Sequence, residues 1–423
     1  MSDLLRQIIA RNRSGEPVAI PSVCTAHPEA LEASLTLAET LDQPVVVEAT
    51  SNQVNQDGGY TGLKPADFIA FVQGIAQRAG VSPTRILFGG DHLGPQAWRK
   101  LPAAQAMEKA HRMVADYAAA GFSKIHLDCS EGCAGEPAQL PDDITAARSA
   151  ALAETALRHA PNRDRLLFVI GTEVPPPGGA RTDDHGDIPP TTPASATATL
   201  AAHQAAFTAL NLPLHQIGGL VVQPGVEFSP MEVHHLPMQR DPGLLSTLDA
   251  WPNLCLEAHS TDYQHPAAFP RLAELGFAFQ KVGPALTFAW RAALYALDAL
   301  RSQCGWATGP SLADEMEAVM LADPGYWQGH YHGTSAERRV ERHFGLADRI
   351  RYYWPQPKAQ RAVARLFADL DGKTLPGPAL GAHFRAEEVA SATRSPHSLP
   401  RALAMARVQS ALRPYFFNTG PRS

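Results

Sequence analysis

The amino-acid sequence predicts a (β/α)8 barrel with additional C-terminal helices. Eight short β-rich runs alternate with longer segments whose apolar residues recur at helical spacing. Most of these runs are almost continuously apolar, as expected for parallel strands that are covered on both faces. A doubly wound dinucleotide-binding sheet would carry a glycine-rich fingerprint after its first strand, and IPSVCTAHPE, which contains the first strand here, has none.

The elements follow one another in a regular order along the chain. The predicted strands are residues 18–25, 44–50, 85–91, 124–130, 166–174, 218–224, 254–260 and 278–284. Helical spacing marks intervening segments such as PEALEASLTLAETL, MEKAHRMVADYAAAG and DITAARSAALAETALRHA. We expect residues 1–300 to form the barrel and residues 301–423 to form a helical extension packed on it. A segment rich in Pro, Gly and Asp, residues 175–195, predicts a long loop after the fifth strand.

Composition excludes several classes of protein. The chain has 423 residues, 45% of them hydrophobic, which is enough for a large core. The formal net charge of −6 gives no basic surface for nucleic acid. No apolar run is long enough to cross a membrane, the N-terminus lacks a signal-peptide pattern, and five cysteines suggest no disulfide framework. We therefore expect a cytoplasmic protein.

Polar residues stand where the predicted strands end. Because the C-terminal ends of barrel strands converge on one mouth, these residues should lie close together. Several carboxylates buried in one cavity need a cation, a proton or the hydroxyl groups of a sugar. The set comprises Glu48, Asp91, His92, Asp128, Glu173, Gln223, Glu227, Glu257, His259 and Lys281.

Part of this set has the composition of a metal site. His92 and His259, with one or two carboxylates, would hold a divalent transition metal. Glu257 and His259 are two residues apart on one strand, so they face the same side, as do His126 and Asp128. The alternative is that each histidine merely bonds a backbone carbonyl. The amide-rich loop SNQVNQDGGYTG after the second strand would recognise hydroxyl groups or form an ordinary polar turn.

Several longer motifs resemble those of a known family. The strings EATSNQVNQDGGYTG, GGDHLGP, KIHLDCS, IGTEVPPPGG, VVQPGVEF, AHSTDYQ and ADRIRYYW are similar to those of the tagatose-bisphosphate aldolase subunit family. The resemblance covers about residues 1 to 400 and extends more distantly to the metal-dependent class II fructose-bisphosphate aldolases. It implies that Asp91 is a proton-transfer acid, and that His92 and His259 bind a metal, with zinc first and Mn, Co or Ni as alternatives.

The chain departs from the aldolase pattern at two places. Where those aldolases carry a glycine-rich phosphate grip after the later histidine, this chain reads HSTDYQ. Their third metal histidine has no obvious match, so a carboxylate such as Glu257 or Glu227 would replace it. The missing grip favours a free or singly phosphorylated ketose as the substrate.

The resemblance implies two functions. One is a supporting subunit that stabilises an aldolase partner without chemistry of its own. The other is epimerisation of a ketohexose, or its phosphate, at C4. The hydrogen on C4 is not acidic, so simple deprotonation is excluded and two routes remain. Hydride transfer would need a nicotinamide, but the dinucleotide-binding fingerprint is absent. The other route is retro-aldol cleavage of the C3–C4 bond followed by re-addition. A sugar isomerase acting between C1 and C2 is a further alternative.

The epimerase hypothesis gives each candidate residue a role. The metal is assigned to His92, His259 and Glu257. Asp91 or Asp128 moves the proton of the C4 hydroxyl, with Glu173 nearby. The residues expected to orient hydroxyls or developing charge are Asn52, Gln53, Gln223 and Lys281. The expected partners are a ketose or ketose phosphate, an aldolase subunit and a second copy of the chain.

Overall fold

A computed structural model describes residues 2–172 and 188–419 and contains a closed barrel of eight parallel strands. The barrel order is β1-β10-β9-β6-β5-β4-β3-β2, and β7 and β8 form a separate antiparallel hairpin. The predicted barrel is therefore confirmed. The strands are β1 (Ile20–Cys24), β2 (Val45–Thr50), β3 (Ile86–Leu93), β4 (Lys124–Leu127), β5 (Leu167–Ile170), β6 (Ile217–Val221), β7 (Glu227–Phe228), β8 (Val233–His234), β9 (Cys255–Ala258) and β10 (Phe277–Val282).

Helices cover the outside of the barrel and continue beyond it. The barrel helices are α2 (Pro28–Thr40), α3 (Pro65–Arg78), α4 (Ala103–Ala120), α5 (Asp142–His159), α6 (Pro193–Ala209), α7 (Ala268–Glu274) and α8 (Pro284–Gln303), and α1 (Ser2–Arg13) precedes β1. The later helices are α9 (Leu312–Ala322), α10 (Ser335–Phe344), α11 (Pro357–Leu370), α12 (Gly377–His383), α13 (Ala386–Ala392) and α14 (Leu399–Leu412). Within the described ranges, no helix is both long and apolar enough to cross a membrane.

One crossover departs from the regular alternation. Residues 222–254, between β6 and β9, hold the β7–β8 hairpin and a 3-10 turn, Leu244–Leu248, in place of an α-helix. Prolines recur through this segment, at Pro224, Pro230, Pro237 and Pro242, and each removes a backbone donor that a helix interior needs.

The N-terminal helix closes the bottom of the barrel. Leu5, Ile8 and Ile9 lie on one face of α1 at helical spacing and are buried. They join an interior apolar cluster with residues from early strand positions, including Ile20 and Leu87. The lower half of the barrel is therefore a packed apolar core.

The C-terminal helices pack on the barrel and share its core. Helix α14 lies against α8 and α2, and its Leu403 and Val408 belong to the same buried cluster as Trp290 of α8. His397 Nε2 lies 2.7 Å from Glu32 Oε1 of α2. One hydrophobic core spans both parts of the chain and marks no boundary near residue 300. The division of the chain there therefore stays a prediction.

A layer of charged side chains lies inside the barrel. The Nζ atom of Lys124 lies 2.6 Å from Glu48 Oε1 and 2.6 Å from Glu257 Oε2, and all three side chains are fully buried. Lys281 Nζ lies 2.6 Å from the other oxygen of Glu48 and also pairs with Asp91. Burial lowers the pKa of Lys124, but Glu257 and Glu48 outweigh it and raise the pKa above its ordinary value. The layer is therefore held in its ionised form.

Replacing Lys124 with methionine should destabilise the protein strongly. Glu48 and Glu257 would lose the cation that they share, and breaking one partner of a buried pair costs about 3–5 kcal/mol. The free energy of unfolding, measured by denaturant titration, should fall by that amount. The control is K100M at an exposed lysine, which should change stability by about 0.5 kcal/mol or less. Equal stability of the two variants would contradict the pairing.

Candidate active site

Three histidines meet where the strands end. The rings of His92, His126 and His259 are 5.0 to 5.2 Å apart between centroids, each pair edge to face. All three are buried, and they come from β3, β4 and the residue after β9. The sequence prediction that His92 and His259 converge on one mouth therefore describes their positions correctly.

Four side chains are placed closely enough to share one metal ion. One ligand atom from each of Asp91, His126, Glu257 and His259 lies within 4.8 Å of the others. Two imidazoles and two carboxylates are a suitable donor set for a divalent transition metal. A second group of Cys24, Glu48 and Asp91 meets the same criterion beside it.

An unpartnered nitrogen supports the fit to a metal. His126 Nδ1 lies 2.9 Å from Asp91 Oδ1 and 3.2 Å from the backbone nitrogen of His92. When Nδ1 donates to the Asp91 carboxylate, it carries the proton. The lone pair then lies on Nε2, which is buried without a hydrogen-bond partner. A histidine held by a carboxylate, with its other nitrogen free, is the usual arrangement of a metal ligand. Burial lowers the pKa of His259 to about 3, helped by Lys281, so the ring of His259 is neutral.

His126 was not assigned to the metal from the sequence, although the signal was present. Residues 124, 126 and 128 alternate along β4 and its end, so Lys124, His126 and Asp128 all face the interior. His92, which was assigned to the metal, lies beside the four-residue group. Its Nδ1 atom bonds Asp128 Oδ2 at 2.8 Å, and its Nε2 atom is 3.7 Å from Asp91 Oδ2.

The two candidate acids have different surroundings. Asp128 is fully engaged, since Oδ2 bonds His92 and Oδ1 accepts from the hydroxyl of Ser130 at 2.7 Å. Asp91 lines the cavity above the histidines, and its Oδ2 atom lies 3.7 Å from both Cys24 Sγ and His92 Nε2. Burial raises the pKa of Asp91, but His92, Lys281 and His126 together lower it well below the ordinary value.

Backbone geometry in GGDHLGP explains its glycines and marks a strained position. A Cβ atom on Gly94 would lie 1.7 Å from the carbonyl oxygen of Asp128, and one on Gly89 would lie 2.7 Å from the Glu48 side chain. His92 itself has a positive φ of 48°, as does Ser260 beside His259, at 52°. Non-glycine residues in this conformation are uncommon and cluster at functional sites.

A cavity opens above this cluster. Of the four residues predicted to bind substrate, Asn52, Gln53 and Lys281 line it. Gln223 does not belong to the wall that the described residues form, and its side-chain oxygen accepts from Gly225 and Val226 at 2.9 Å. Glu173 lies outside the described residues.

The loop after β2 forms a polar turn and also lines the cavity. Asn55 serves the turn, because its side-chain oxygen accepts from the amides of Asp57 at 2.8 Å and Gly59 at 3.1 Å. Asn52, Gln53 and Tyr60 face the cavity. The turn therefore presents amides and a phenol to the barrel mouth.

The sequence did not single out the residues that cover the cavity. Arg351 and Tyr352 lie in a 3-10 segment, Arg349–Tyr353, that follows α10 and reaches the mouth. The motif ADRIRYYW contains both, but nothing local links it to strand ends far away in the sequence.

The carboxylate of Asp262, which follows His259 in the sequence, occupies the N-terminus of α8. Asp262 Oδ1 accepts from the backbone amides of Gly283 at 3.0 Å and Ala285 at 2.8 Å, which caps α8. Burial raises the pKa of Asp262 to about 6. The sequence HSTDYQ, which stands in place of a glycine-rich grip, therefore fills the anion-binding end of this helix with its own side chain.

Comparisons with known proteins agree with this architecture. The chain is 47% identical over 385 residues to a D-tagatose 6-phosphate 4-epimerase from Agrobacterium fabrum, covering 89% of each chain. It is 42% identical over 416 residues to the D-tagatose-1,6-bisphosphate aldolase subunit GatZ from Klebsiella pneumoniae, covering 97% of this chain and 98% of that one.

A solved structure and a family model cover most of the chain. The crystal structure of a probable tagatose 6 phosphate kinase from Sinorhizobium meliloti 1021 superposes with a TM-score of 0.85 at 44% identity, covering 94% of this chain and 99% of that one. Residues 5–420 match the family model described as D-tagatose-1,6-bisphosphate aldolase subunit GatZ/KbaZ-like. The protein therefore belongs to the GatZ/KbaZ-like family.

Proposed function

We propose that this protein is an epimerase that inverts C4 of a ketohexose of the fructose and tagatose type. The observation that carries the proposal is the placement of Asp91, ionised and facing the cavity, beside Lys281 and the unpartnered Nε2 of His126. A purely supporting subunit has no need for a carboxylate, an ammonium and imidazoles at one mouth. The name of the relative from Agrobacterium fabrum supports the same reaction.

The chemistry follows from the position of C4. Its hydrogen is not activated by the C2 carbonyl, so simple deprotonation cannot invert C4. The proposed route breaks the C3–C4 bond instead. Loss of the C4 hydroxyl proton lets C4 become an aldehyde while the C3–C4 bond breaks, and the electron pair passes to an enediolate on C2 and C3. Rotation of the aldehyde presents its other face, C3 attacks it, and the proton returns to the new C4 hydroxyl.

The described residues divide this task among them. Asp91 takes and returns the hydroxyl proton through Oδ2, which lies 3.7 Å from both Cys24 Sγ and His92 Nε2. Lys281 places a positive charge beside the reacting oxygens. Asn52 and Gln53 bind sugar hydroxyls from the loop after β2. Asp128 is a positioning residue that acts through His92.

The four-residue group supplies the place for a metal. Within this group, His126, His259 and Glu257 would hold a divalent cation, with Zn²⁺ as the first candidate and Mn, Co or Ni as alternatives. Such a cation would polarise the C2 carbonyl and stabilise the negative charge that develops during cleavage. His92, assigned to the metal from the sequence, packs against both imidazoles and completes the site from the side.

A second function has a specific observation in its favour. The relatives named GatZ are 42% identical over nearly the whole chain, and their name describes a subunit of an aldolase. As a supporting subunit, the protein would bind an aldolase partner and show no turnover alone. The two functions differ in the behaviour of the isolated protein.

The direct test is turnover by the isolated protein. Purified enzyme with Zn²⁺, incubated with fructose 6-phosphate or fructose, should form tagatose 6-phosphate or tagatose, resolved by chromatography. D91N should reduce the rate by about 100-fold or more, because it removes the proton acceptor. D116N changes a half-exposed aspartate on α4 that pairs with Arg112 and should keep the wild-type rate. Absence of product from either sugar would favour the supporting subunit.

Metal removal gives an independent test. Chelation should abolish turnover, and one equivalent of Zn²⁺, Mn²⁺, Co²⁺ or Ni²⁺ should restore it. H126A and H259A should lose affinity for the ion by about 10- to 100-fold or more, measured by competition with a chromogenic chelator. H203A, a buried histidine that bonds a backbone carbonyl on α6, should retain the ion. Turnover that survives complete removal of the metal would contradict the assignment.

A further inference from the structure

The roof of the cavity comes from the C-terminal part of the chain. The segment Arg349–Tyr353 lies over the barrel mouth and contributes Arg351 and Tyr352 to the cavity wall. Tyr60, from the loop after β2, meets Tyr352 edge to face with ring centroids 4.9 Å apart. The cavity thus has a reactive floor of strand ends and a roof of one guanidinium and two phenols.

Arg351 carries a positive charge that no carboxylate of the described residues neutralises by a salt bridge. Its guanidinium donates to the backbone carbonyls of Ala347 and Asp348, the latter at 3.1 Å, and to the hydroxyl of Tyr352 at 2.8 Å. The carboxylate of Asp348 pairs with Arg291 instead, at 3.3 Å. These contacts fix the orientation of the side chain and leave its charge available to the cavity.

Arg349 adds a second positive charge beside Arg351 at the roof of the cavity. Arg349 and Arg351 both lie near the ring of Tyr352, with their guanidinium carbons 5.1 and 4.5 Å from its centroid. Burial raises the pKa of Tyr352, but the two arginines outweigh it and lower the pKa below the ordinary value. Burial raises the pKa of the Tyr60 hydroxyl, and Gln53 and Arg351 act in the opposite direction.

The phosphate site that barrels commonly use is occupied by a side chain in this protein. Barrels often hold phosphate beyond their seventh and eighth strands at a helix N-terminus. In this barrel those strands are β9 and β10, and the amides of Gly283 and Ala285 at the start of α8 both donate to Asp262. A phosphate there would have to displace this carboxylate, and its charge would be repelled.

We propose that Arg351, with the hydroxyls of Tyr60 and Tyr352, binds the phosphate of a phosphorylated ketose. This inference rests on the proposed function and names its substrate class. The carbonyl end of the sugar is held at the histidine cluster, so the phosphate belongs to the far end of the chain, as in a ketohexose 6-phosphate. A planar guanidinium offers paired donors that match phosphate oxygens, and each phenol adds one more.

The test is a binding measurement that does not require turnover. Isothermal titration calorimetry of the zinc-loaded protein should be performed with fructose 6-phosphate and with fructose. R351Q should weaken binding of fructose 6-phosphate by about 10- to 100-fold, the range expected for a lost charge-assisted contact, and change fructose binding by less than about 3-fold. R351K should fall between R351Q and wild type, since it keeps the charge without the paired donors.

The matched control is R349Q, which removes the same charge beside the same ring but outside the cavity wall. It should change binding of fructose 6-phosphate by less than about 3-fold. Equal losses in R349Q and R351Q, or no loss in R351Q, would overturn the assignment. So would a loss of phosphate affinity in D262N, because that result would place the phosphate at α8.

Arg351 also holds two backbone carbonyls, so its loss could disturb the segment. Y60F leaves those contacts intact and should still weaken fructose 6-phosphate binding by about 3- to 10-fold. An unchanged affinity in Y60F together with misfolded R351Q would overturn the proposal. The outcome is separate from the epimerase test, because phosphate binding through Arg351 can be present in a protein without turnover, and turnover can be present without it.

Discussion

The buried charge layer inside the barrel is the constraint on which the site depends. Lys124 and Lys281 face three carboxylates, Glu48, Asp91 and Glu257, at a depth where an unpaired charge is costly. Two ammonium groups against three carboxylates leave one negative charge, which favours binding of a cation or a proton. The layer also keeps Asp91 ionised and holds Glu257 against His259, so one electrostatic arrangement sets the properties of the whole floor.

The floor and the roof of the cavity come from different parts of the chain. Strand ends supply the acid, the imidazoles and Lys281, all fixed by the parallel barrel. The roof comes from Arg351 and Tyr352, which the C-terminal helices hold over the mouth. Because one hydrophobic core joins those helices to the barrel, the extension is part of the site's architecture as well as its covering.

Convergence of the strand ends explains how much of the site was predictable. It placed Asp91, His92, His259 and Lys281 at one mouth, and the structure brings them together. Alternation along β9 and its end also put Glu257 and His259 on the same side, where they lie 2.9 Å apart. The same alternation on β4 exposes Lys124 and His126 to the interior, although only their position, and no role, could be read from one strand.

The features that escaped prediction depend on contacts between distant residues. Arg351 lies in a segment that packs against α9 and α10, and no local pattern encodes that packing. Gln223 stands at a strand end, but its side-chain oxygen accepts hydrogen bonds from the amides of Gly225 and Val226 in its own turn. The helix expected between β6 and β9 is replaced by a hairpin because of closely spaced prolines.

Cleavage of the C3–C4 bond is the central claim, and an isotope experiment tests it most directly. Fructose 6-phosphate deuterated at C4 should be converted to tagatose 6-phosphate at the same rate as the unlabelled sugar, with all deuterium retained at C4. In the proposed reaction the C4–H bond is never broken, so neither exchange nor a primary isotope effect is expected. Loss of deuterium to water, or a rate several-fold slower with the label, would contradict the account.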